Sequence, residues 1–305
     1  MRIVQGLESF PPDAAASAVA LGVFDGVHLG HRAILGTAVT LAGALGLEAL
    51  ACTFDPHPME VLQPDRVPRP ITPLDERLAL IGETGVDTAV VLAFTRQLAA
   101  MEPEAFVKDV LLGRLRAREI VVGYNHRFGR GARGDARLLE SLAARLGFSA
   151  HVVPPTTLDG VAVSSSEIRA ALQRSDLAGA ARTLGRPYAI AGLVTSGAGR
   201  GRALGFPTAN ITPDRPLLIE RGVYRGRVLV DGRRHPAVVN VGVRPTFGET
   251  TLAVEAHLLD FTGDLYGRQV RLDFLGRLRD EMRFPSAEAL KAQVARDIEA
   301  ARREA

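Results

Sequence analysis

The feature that most constrains the fold is a regular exchange of apolar runs and helix-like segments over the first half of the chain. Five apolar runs have the length of strands and occupy residues 18–24, 48–54, 87–94, 118–124 and 148–153. Segments with helical periodicity lie between them, at about 31–45, 74–84, 103–115 and 135–146. Strands that alternate with helices form a parallel sheet covered by helices on both faces. The first half is therefore predicted to be a Rossmann-like α/β domain.

The pattern changes near residues 184–187, where Gly185 and Pro187 follow two short predicted helices at about 165–173 and 176–184. Beyond this point short alternating runs occupy 188–197, 222–230, 235–242, 251–261 and 269–278. Such runs indicate a small antiparallel β-barrel, and helical periodicity after Pro285 indicates one terminal helix. We predict an α/β domain over residues 1–185 and a β-barrel domain over residues 186–305.

Composition limits the cellular setting. The chain has 305 residues, of which 47% are apolar, but no run reaches the roughly 18 apolar residues of a membrane span. The first residues lack the basic and apolar regions of a signal peptide, so a cytoplasmic protein without a membrane partner is expected. Cys52 is the single cysteine, which excludes an internal disulfide, and its apolar run favours a buried strand residue over a nucleophile.

Charge gives a weaker indication. The net charge of +3 and the pI near 9.4 suit anionic ligands, yet no block of like charge occurs, so no nucleic-acid partner is expected. Asparagine is scarce, and its three occurrences, Asn125, Asn210 and Asn240, each fall in a segment rich in glycine or proline. Those segments are candidates for function.

The first predicted strand runs into the segment LGVFDGVHLGHRAIL, which contains Gly22, Gly26 and Gly30. A glycine-rich loop between a strand and a helix directs backbone N–H groups toward phosphate oxygens. His28 and His31 are three residues apart and would share one helix face, where imidazoles can stabilise negative charge that develops on phosphate. The alternative is that these are ordinary surface histidines.

Three further segments are predicted at the carboxyl edge of the sheet, where open α/β sheets bind ligands. They are TFDPHP (53–58), GYNHRFGRGARGD (123–135) and SSSEIR (164–169). The hydroxyls and Arg169 of the last segment could bind phosphate, or its serines could simply cap a helix. His57, Asn125 and His126 could likewise stabilise their own loops.

Together, these four motifs resemble the FMN adenylyltransferase module of bacterial bifunctional riboflavin kinase/FAD synthetases over about the first 185 residues. The resemblance implies that His28 and His31 act in catalysis and that FMN lies against the 53–58 and 123–135 loops. The implied ATP-binding residues are Gly22, Phe24, Asp25, Ser164, Ser165, Ser166 and Arg169. The implied flavin-binding residues are Asp55, His57, Asn125 and Arg127.

The predicted barrel contains the segment TSGAGRGRALGFPTANI (195–211), with glycines at 197, 199, 201 and 205. A glycine-rich turn can wrap a triphosphate, while a threonine hydroxyl and an asparagine carbonyl are hard oxygen ligands for Mg²⁺. The G-K-[ST] ending of a Walker A motif is absent. Glu255 alternates with Val254 and Ala256 and is expected to be a lone carboxylate among apolar neighbours, with a surface position as the alternative.

This segment resembles the riboflavin kinase module when it is combined with GVYRGRV, NVGVRPTF, VEAHLLDF, DLYG and LRDEMRF farther along. The resemblance implies that Gly197, Gly199, Gly201, Gly205 and Thr208 bind ATP. It further implies that Thr208 and Asn210 position Mg²⁺, that Glu255 accepts the proton of the riboflavin 5′-hydroxyl, and that Arg279 contacts flavin. Flavin would then be substrate and product, with ATP as co-substrate.

Two other classes of protein share part of this pattern. An aminoacyl-tRNA synthetase or related ligase also carries an H-x-G-H-like element, but the chain is too short for an added anticodon-binding domain. A flavin-storage protein would bind the same ligands without turnover, and it would need neither Glu255 nor the two histidines. The oligomeric state stays open.

Overall fold

The computed structural model describes residues 1–197, 201, 204–246 and 249–303. The chain folds as two compact units, the N-terminal unit Met1–Ser165 and the C-terminal unit Ser166–Ala305. This division precedes the predicted domain boundary at 185/186, which concerns functional modules and stays a prediction.

A six-stranded parallel sheet forms the centre of the N-terminal unit, in the order β1-β4-β3-β2-β5-β6. The strands are β1 (Arg2–Gln5), β2 (Ser17–Leu21), β3 (Glu48–Asp55), β4 (Thr88–Ala93), β5 (Ala117–Gly123) and β6 (Ser149–Val153). The predicted parallel sheet is confirmed. Strand β1 escaped prediction because it is a short edge strand with a single buried residue, Val4.

The helices of this unit are α1 (Leu29–Leu45), α2 (Pro58–Leu62), α3 (Leu74–Gly82), α4 (Arg96–Ala99), α5 (Pro103–Ala105) and α6 (Ala136–Leu146). Short 3₁₀ turns occupy Pro64–Arg66 and Arg130–Ala132, and a small hairpin pairs β7 (Thr157–Leu158) with β8 (Val161–Ala162). The helix predicted over 103–115 begins as α5 and continues as a π-helix, Phe106–Arg114. The π-helix still buries apolar side chains, so periodicity predicted a helix here without distinguishing its type.

The topology brings three loops to one place. Strand β2 pairs with β3 on one side and with β5 on the other. Because all the strands are parallel, the loops that follow β2, β3 and β5 emerge side by side at the carboxyl edge. The chain also reverses its direction of winding between β2 and β5, which marks the usual ligand position in such sheets. The predicted convergence of the 53–58 and 123–135 loops is confirmed.

Cys52 lies inside this sheet and is fully buried. Burial raises the pKa of its thiol to about 12, because the apolar surroundings disfavour the thiolate. The thiol therefore stays protonated at neutral pH, as the sequence predicts for a strand residue.

The C-terminal unit contains a closed antiparallel barrel of six strands in the order β10-β13-β12-β11-β14-β9. The strands are β9 (Tyr188–Thr195), β10 (Ala209–Pro213), β11 (Gly222–Val230), β12 (Arg233–Thr246), β13 (Glu249–Leu258) and β14 (Gln269–Arg279). The predicted barrel is confirmed. Strand β10 is absent from the predicted runs because it is short and follows a segment rich in glycine with Pro207, yet it closes the barrel between β9 and β13.

In the described part of the C-terminal unit, the helices that accompany the barrel are α7 (Ser165–Gln173), α8 (Leu177–Leu184) and α9 (Ala287–Arg303). Helix α8 packs against β9 and β14, and the Ser175 and Tyr224 hydroxyls are 2.9 Å apart. Helix α9 covers the outer face of the barrel through an apolar cluster that includes Val223, Val238 and Ala301. The part of the barrel surface beneath α9 is called the covered outer face below.

Candidate functional sites

The loop after β2 has an unusual backbone. Phe24 and Val27 have positive φ angles of 56° and 38°, although both carry side chains, and both are fully buried. Such conformations are costly for residues with a Cβ and occur mainly where surrounding packing imposes them, often at functional sites. A Cβ on Gly22 would lie 2.9 Å from the Phe24 ring, so glycine is required there. The loop is a tightly packed turn.

Asp25 in this loop uses its carboxylate to hold the segment ahead of α3. The backbone N–H groups of Ile71 and Thr72 donate to Asp25 Oδ1 at 3.0 and 3.1 Å. The N–H of Gly26 donates to Thr72 Oγ1 at 3.1 Å, and the Ser165 hydroxyl donates to the Asp25 carbonyl at 3.0 Å. These bonds give Asp25 and Ser165 a structural role, and their contacts to ATP stay a prediction.

His28 and His31 stack at the start of α1. Their ring centroids are 3.6 Å apart with planes at 17°, and the Phe24 ring meets His31 edge-on at 5.4 Å. His28 precedes the helix as its N-cap, and its Nδ1 accepts from the His31 N–H at 3.2 Å. This bond places the proton of a neutral His28 on Nε2. A Cβ on Gly30 would lie 3.2 Å from His28 Cε1, so glycine leaves room for the His28 ring.

The pKa of His31 lies well below its usual value. Burial is the main cause, and the nearby His28 and Arg77 add positive potential. His31 is therefore uncharged at neutral pH. Its buried Nδ1 finds no hydrogen-bond partner among the described residues. A ring nitrogen without a partner at a helix N-terminus fits an anionic ligand such as phosphate.

The 53–58 loop forms the start of α2. His57 Nδ1 accepts from the Met59 N–H at 3.1 Å, and the His57 N–H donates to Glu60 Oε1 at 3.0 Å. This is a capping box, which stabilises the first turn of a helix. Asp55 ends β3 and is exposed, 4.0 Å from the guanidinium of Arg77. The geometry of His57 thus agrees with the loop-stabilising alternative.

Two of the glycines in the 123–135 loop, Gly129 and Gly134, are required by close approaches. A Cβ on Gly129, which has a φ of 67°, would lie 2.7 Å from Pro103, and one on Gly134 would lie 2.7 Å from the Phe128 ring. Phe128 and Gly134 also exchange backbone hydrogen bonds at 3.1 and 2.9 Å. The spacing of the glycines in this motif therefore follows from the shape of the loop.

The polar residues of the same loop divide into two groups. Asp135 caps α6 by accepting from the Leu138 N–H at 2.9 Å, and it lies 3.4 Å from Arg127. Asn125 is exposed just after β5, beside the loop that follows β2. Burial lowers the pKa of His126 to about 4, and its Nε2 finds no partner among the described residues. Asn125 and His126 are therefore the polar side chains that the loop geometry does not explain.

The remaining predicted phosphate ligands, Ser164, Ser166 and Arg169, surround the start of α7. Ser164 precedes the helix, Ser166 is exposed in its first turn, and Arg169 is half-buried one turn later. Ser166 and Arg169 belong to the C-terminal unit, whereas Ser164 belongs to the N-terminal unit.

A cavity of about 450 Å³ lies on the covered outer face of the barrel. Its walls come from the barrel strands, from the segment between β14 and α9, and from α9. Lining residues include Thr208, Glu255, His257, Arg279, Phe284 and Asp297. The cavity therefore brings together predicted site residues from distant positions in the chain.

Glu255 occupies the outer face of the barrel, together with two asparagines on neighbouring strands. It lies opposite Asn210 of β10 on one side and opposite Asn240 of β12 on the other. Its neighbours Val254 and Ala256 are buried on the inner face. The expectation of a carboxylate among apolar strand neighbours is therefore corrected: Glu255 points outward, into a face that α9 and its preceding segment cover.

Asn210 and Thr208 lie close to Gly197 and Gly201, two described residues of the glycine-rich segment. Asn210 is only 7% exposed, and its Oδ1 finds no partner among the described residues. A Cβ on Gly197 would lie 2.0 Å from Asn210 Nδ2, and one on Gly201 would lie 3.1 Å from Thr208 Oγ1. The glycines thus let the backbone pass directly over these side chains. A buried carbonyl oxygen without a partner fits a hard cation such as Mg²⁺.

Some predicted residues lie outside the described part of the chain. They are Gly199 of the glycine-rich turn, with Arg200 and Arg202 beside it, and Phe247 of the NVGVRPTF motif. Gly205, which is described, has a φ of 89°, a conformation that favours glycine.

Two residues of the cavity escaped the sequence prediction. His257 Nδ1 lies 2.8 Å from the Pro207 carbonyl, and its ring meets Phe206 edge-on at 5.8 Å. Because a carbonyl only accepts, His257 Nδ1 carries a proton and donates. Asp297 of α9 binds Arg279, the predicted flavin ligand, with its carboxylate oxygens 3.1 Å from Nε and Oδ2 2.8 Å from Nη2. The position of His257, two residues after Glu255, could have indicated the first.

A second pocket of about 80 Å³ borders the same site. Thr208 lines both cavities, and the smaller one is otherwise formed by residues including Pro207, Leu265 and Tyr266. Thr208 therefore stands between a large cavity that contains Glu255 and a small, partly apolar one.

Comparison with known proteins identifies both halves. The family described as FAD synthetase matches residues 10–167, and the family described as riboflavin kinase matches residues 184–305. The bifunctional riboflavin kinase/FMN adenylyltransferase of Pseudomonas fluorescens is 39% identical over 99% of this chain and 97% of its own. The enzymes of that description from Escherichia coli K12 and Bacillus subtilis are 38% and 35% identical, over 97% and 93% of this chain and 96% and 91% of theirs.

A solved structure has the same fold over its whole length. It is described as a macrolide-efflux protein from Streptococcus pneumoniae, and it superimposes with a TM-score of 0.91 at 29% identity, covering 99% of each chain. Within the described part of the present chain, no helix has both the length and the apolarity of a membrane span.

Proposed function

Because the chain belongs to the family of bifunctional riboflavin kinase/FMN adenylyltransferases, we propose which of its residues carry each of the two reactions. The enzyme phosphorylates riboflavin to FMN with its riboflavin kinase domain and adenylylates FMN to FAD with its FAD synthetase domain. The observation that carries the kinase assignment is the row of Asn210, Glu255 and Asn240 on adjacent strands, of which Glu255 and Asn240 line the large cavity.

In the kinase reaction, Glu255 accepts the proton of the riboflavin 5′-hydroxyl while that oxygen attacks the γ-phosphorus of ATP and ADP leaves. Phosphoryl transfer needs mainly positioning and charge neutralisation, so one base beside the reacting hydroxyl is sufficient. Thr208 Oγ1 and Asn210 Oδ1 would hold Mg²⁺, which neutralises the charge on the phosphates. The burial of Asn210 and the close approach of Gly197 and Gly201 to the two side chains support this role.

The two cavities at Thr208 suggest how the substrates divide. Riboflavin, the larger and flatter ligand, fits the 450 Å³ cavity that contains Glu255. The 80 Å³ pocket beside Tyr266 suits the adenine ring, which leaves the phosphates to cross Thr208 between the two. This arrangement directs the γ-phosphate toward the riboflavin hydroxyl.

In the adenylylation reaction, a phosphate oxygen of FMN attacks the α-phosphorus of ATP directly, and pyrophosphate leaves. The stacked imidazoles of His28 and His31 donate hydrogen bonds to the charge that grows on the leaving group. No covalent enzyme intermediate is involved. The start of α1 adds the favourable end of its dipole. Asn125, exposed at the adjoining loop, contacts the flavin.

We also propose that the protein is located in the cytoplasm.

A reciprocal pair of asparagine variants tests these assignments. Asn210→Ala removes the proposed metal ligand, and it should lower FMN formation at least about 100-fold while FAD formation from supplied FMN persists. Asn210→Asp keeps an oxygen ligand but adds a negative charge beside the triphosphate, so it should also impair FMN formation. Asn125→Ala should lower FAD formation alone. Loss of both reactions in one folded variant would contradict two separate ATP sites.

A further inference from the structure

Arg77 is a buried arginine at the carboxyl edge of the parallel sheet. It lies on α3, outside every motif considered above, and is only 5% exposed. Charged side chains are rarely buried unless bonds and opposite charges compensate the lost hydration. Its contacts therefore indicate what it does.

The guanidinium joins the loop after β2, which leads to the histidines, to the end of β3. Nη1 donates to the Val23 carbonyl in the loop after β2 at 3.0 Å, and Nη2 donates to the Phe54 carbonyl at the end of β3 at 3.1 Å. The Thr53 hydroxyl donates to the same Val23 carbonyl at 2.9 Å. One planar group thus sets the separation of the two loops, which a flexible point charge such as lysine cannot do with both carbonyls.

Arg77 also carries charge into this site. Burial lowers its pKa, while Asp25 and Asp55 oppose that effect, so the guanidinium stays protonated. The groups that act on His31 are His28, stacked on it from the helix cap, and Arg77 from α3; the loop after β2 presents the uncharged Phe24 ring. Asp25 and Asp55 face Arg77.

We propose that Arg77 is a positioning residue for adenylylation: it fixes the loop after β2 against the loop after β3 and supplies a permanent positive charge beside His31. The proposal rests on the function proposed above for the histidines. Misplacing reacting groups by about 1 Å can lower a rate 100-fold, so a residue that makes no contact with substrate can control the reaction.

The test uses the full-length chain with Arg77→Lys and Arg77→Met, and with Arg145→Met as control. Arg145 is a surface residue of the same unit, paired with Glu104 at 3.2 Å. We expect kcat for FAD formation to fall on the order of 10-fold in Arg77→Lys and 100-fold in Arg77→Met. The KM for ATP should change less than kcat. Riboflavin kinase activity should stay within about twofold in each variant.

A titration of His31 by NMR in the absence of ligands separates the charge from the geometry. Removing the positive charge in Arg77→Met should raise the pKa of His31, whereas Arg77→Lys should leave it low. If Arg77→Met does not fold, Arg77→Lys still tests the geometric role through FAD formation and the kinase control.

Several outcomes would overturn the proposal. They are FAD formation in Arg77→Lys equal to that of Arg145→Met, parallel loss of both activities, or an unchanged His31 pKa in folded Arg77→Met. If instead the Arg77 variants behave as expected while His28→Ala and His31→Ala make FAD normally, the histidine assignment fails and the positioning role stands.

Discussion

The two candidate sites are built in opposite ways. In the N-terminal unit, loops after β2, β3 and β5 converge because parallel neighbouring strands end at one edge. In the C-terminal unit, side chains of β10, β13 and β12 stand in register on the outer face of a barrel, and α9 covers them. The first site depends on the backbone of its loops, and the second depends on strand register and on a covering helix.

The functional groups that the two sites present also differ. The sheet-edge site presents imidazole nitrogens, and a buried arginine adds positive charge beside them, which together suit phosphate charge. The barrel site presents amide, hydroxyl and carboxylate oxygens, which suit a cation and a proton. Each set matches one reaction: stabilisation of a leaving pyrophosphate, or proton removal beside a metal–nucleotide complex.

The largest expected effect is on the barrel alone. Glu255→Gln keeps the size of the side chain but cannot accept the hydroxyl proton, so riboflavin phosphorylation should fall on the order of 1,000-fold. FAD formation from supplied FMN should be unchanged, since Glu255 lies outside the N-terminal unit. Product chromatography with each substrate measures both.

Glu299→Gln, on an exposed part of α9 next to Arg303, is the matched control and should leave both reactions intact. A kinase rate in Glu255→Gln within tenfold of this control would remove Glu255 as the base.

The next effect is confined to the sheet edge. His31→Ala removes a preorganised donor and should lower FAD formation about 100- to 1,000-fold, with a smaller effect on ATP binding. His28→Ala should also remove the cap of α1 and so lower stability by about 1 kcal/mol, whereas His28→Asn should retain that cap. FAD formation measures the catalytic contribution, with kinase activity as the control for folding, and thermal unfolding measures the contribution to stability.

Detection of an adenylyl-enzyme with labelled ATP would contradict direct displacement. Normal FAD synthesis in both alanine variants would place the histidines outside the reaction.

The sequence predicts the sheet-edge site better than the barrel site, for a physical reason. Alternating strands and helices dictate a parallel sheet, and a parallel sheet dictates where its loops meet. The site at the barrel requires knowing which face of β13 the terminal helix covers, and residue alternation does not contain that information. The sequence therefore singles out Glu255 as a candidate, but it does not predict the asparagines on the neighbouring strands.

Other features escaped because the same residue types have several uses. Arg77 is a charged residue in an amphipathic helix, a pattern typical of a solvent-exposed position, and only the fold brings the two carbonyls to it. Asp297 on α9 is a similar case. His28 and His57 each cap a helix, a role normally associated with serine, threonine, aspartate or asparagine.

Acid should affect the two units differently. The pKa of His126 is about 4 in the folded protein and about 6.5 in the unfolded chain, so the unfolded state binds more protons below pH 6.5. The contribution of neutral His126 to stability is therefore fully present above pH 6.5 and is lost as the pH falls toward 4. Between pH 7 and pH 5, His126 lowers the free energy of unfolding by about 2 kcal/mol. His31, with its lowered pKa, acts in the same direction.

Thermal unfolding at pH 7 and pH 5 measures this effect, with His126→Phe as the variant and His235→Phe of the barrel as the control. His126→Phe should reduce the loss on acidification, and FAD formation should decline before riboflavin phosphorylation. Equal pH dependence in wild type and His126→Phe would contradict the assignment.

The smallest expected effect is at His257 and tests whether the barrel has its own equivalent of Arg77. Ladder pairing between β10 and β13 begins at Ala209, so the bond from His257 Nδ1 to the Pro207 carbonyl extends the attachment of the chain just ahead of Thr208. Losing one hydrogen bond of this kind costs roughly 0.5 to 1.5 kcal/mol, so His257→Ala should lower kcat/KM for riboflavin phosphorylation by up to about tenfold. His257→Asn can place an amide N–H near the position of Nδ1 and should recover most of that loss, with FAD formation unchanged in both. If asparagine is no better than alanine, the contact of the ring with Phe206 controls the rate instead, and the parallel with Arg77 fails.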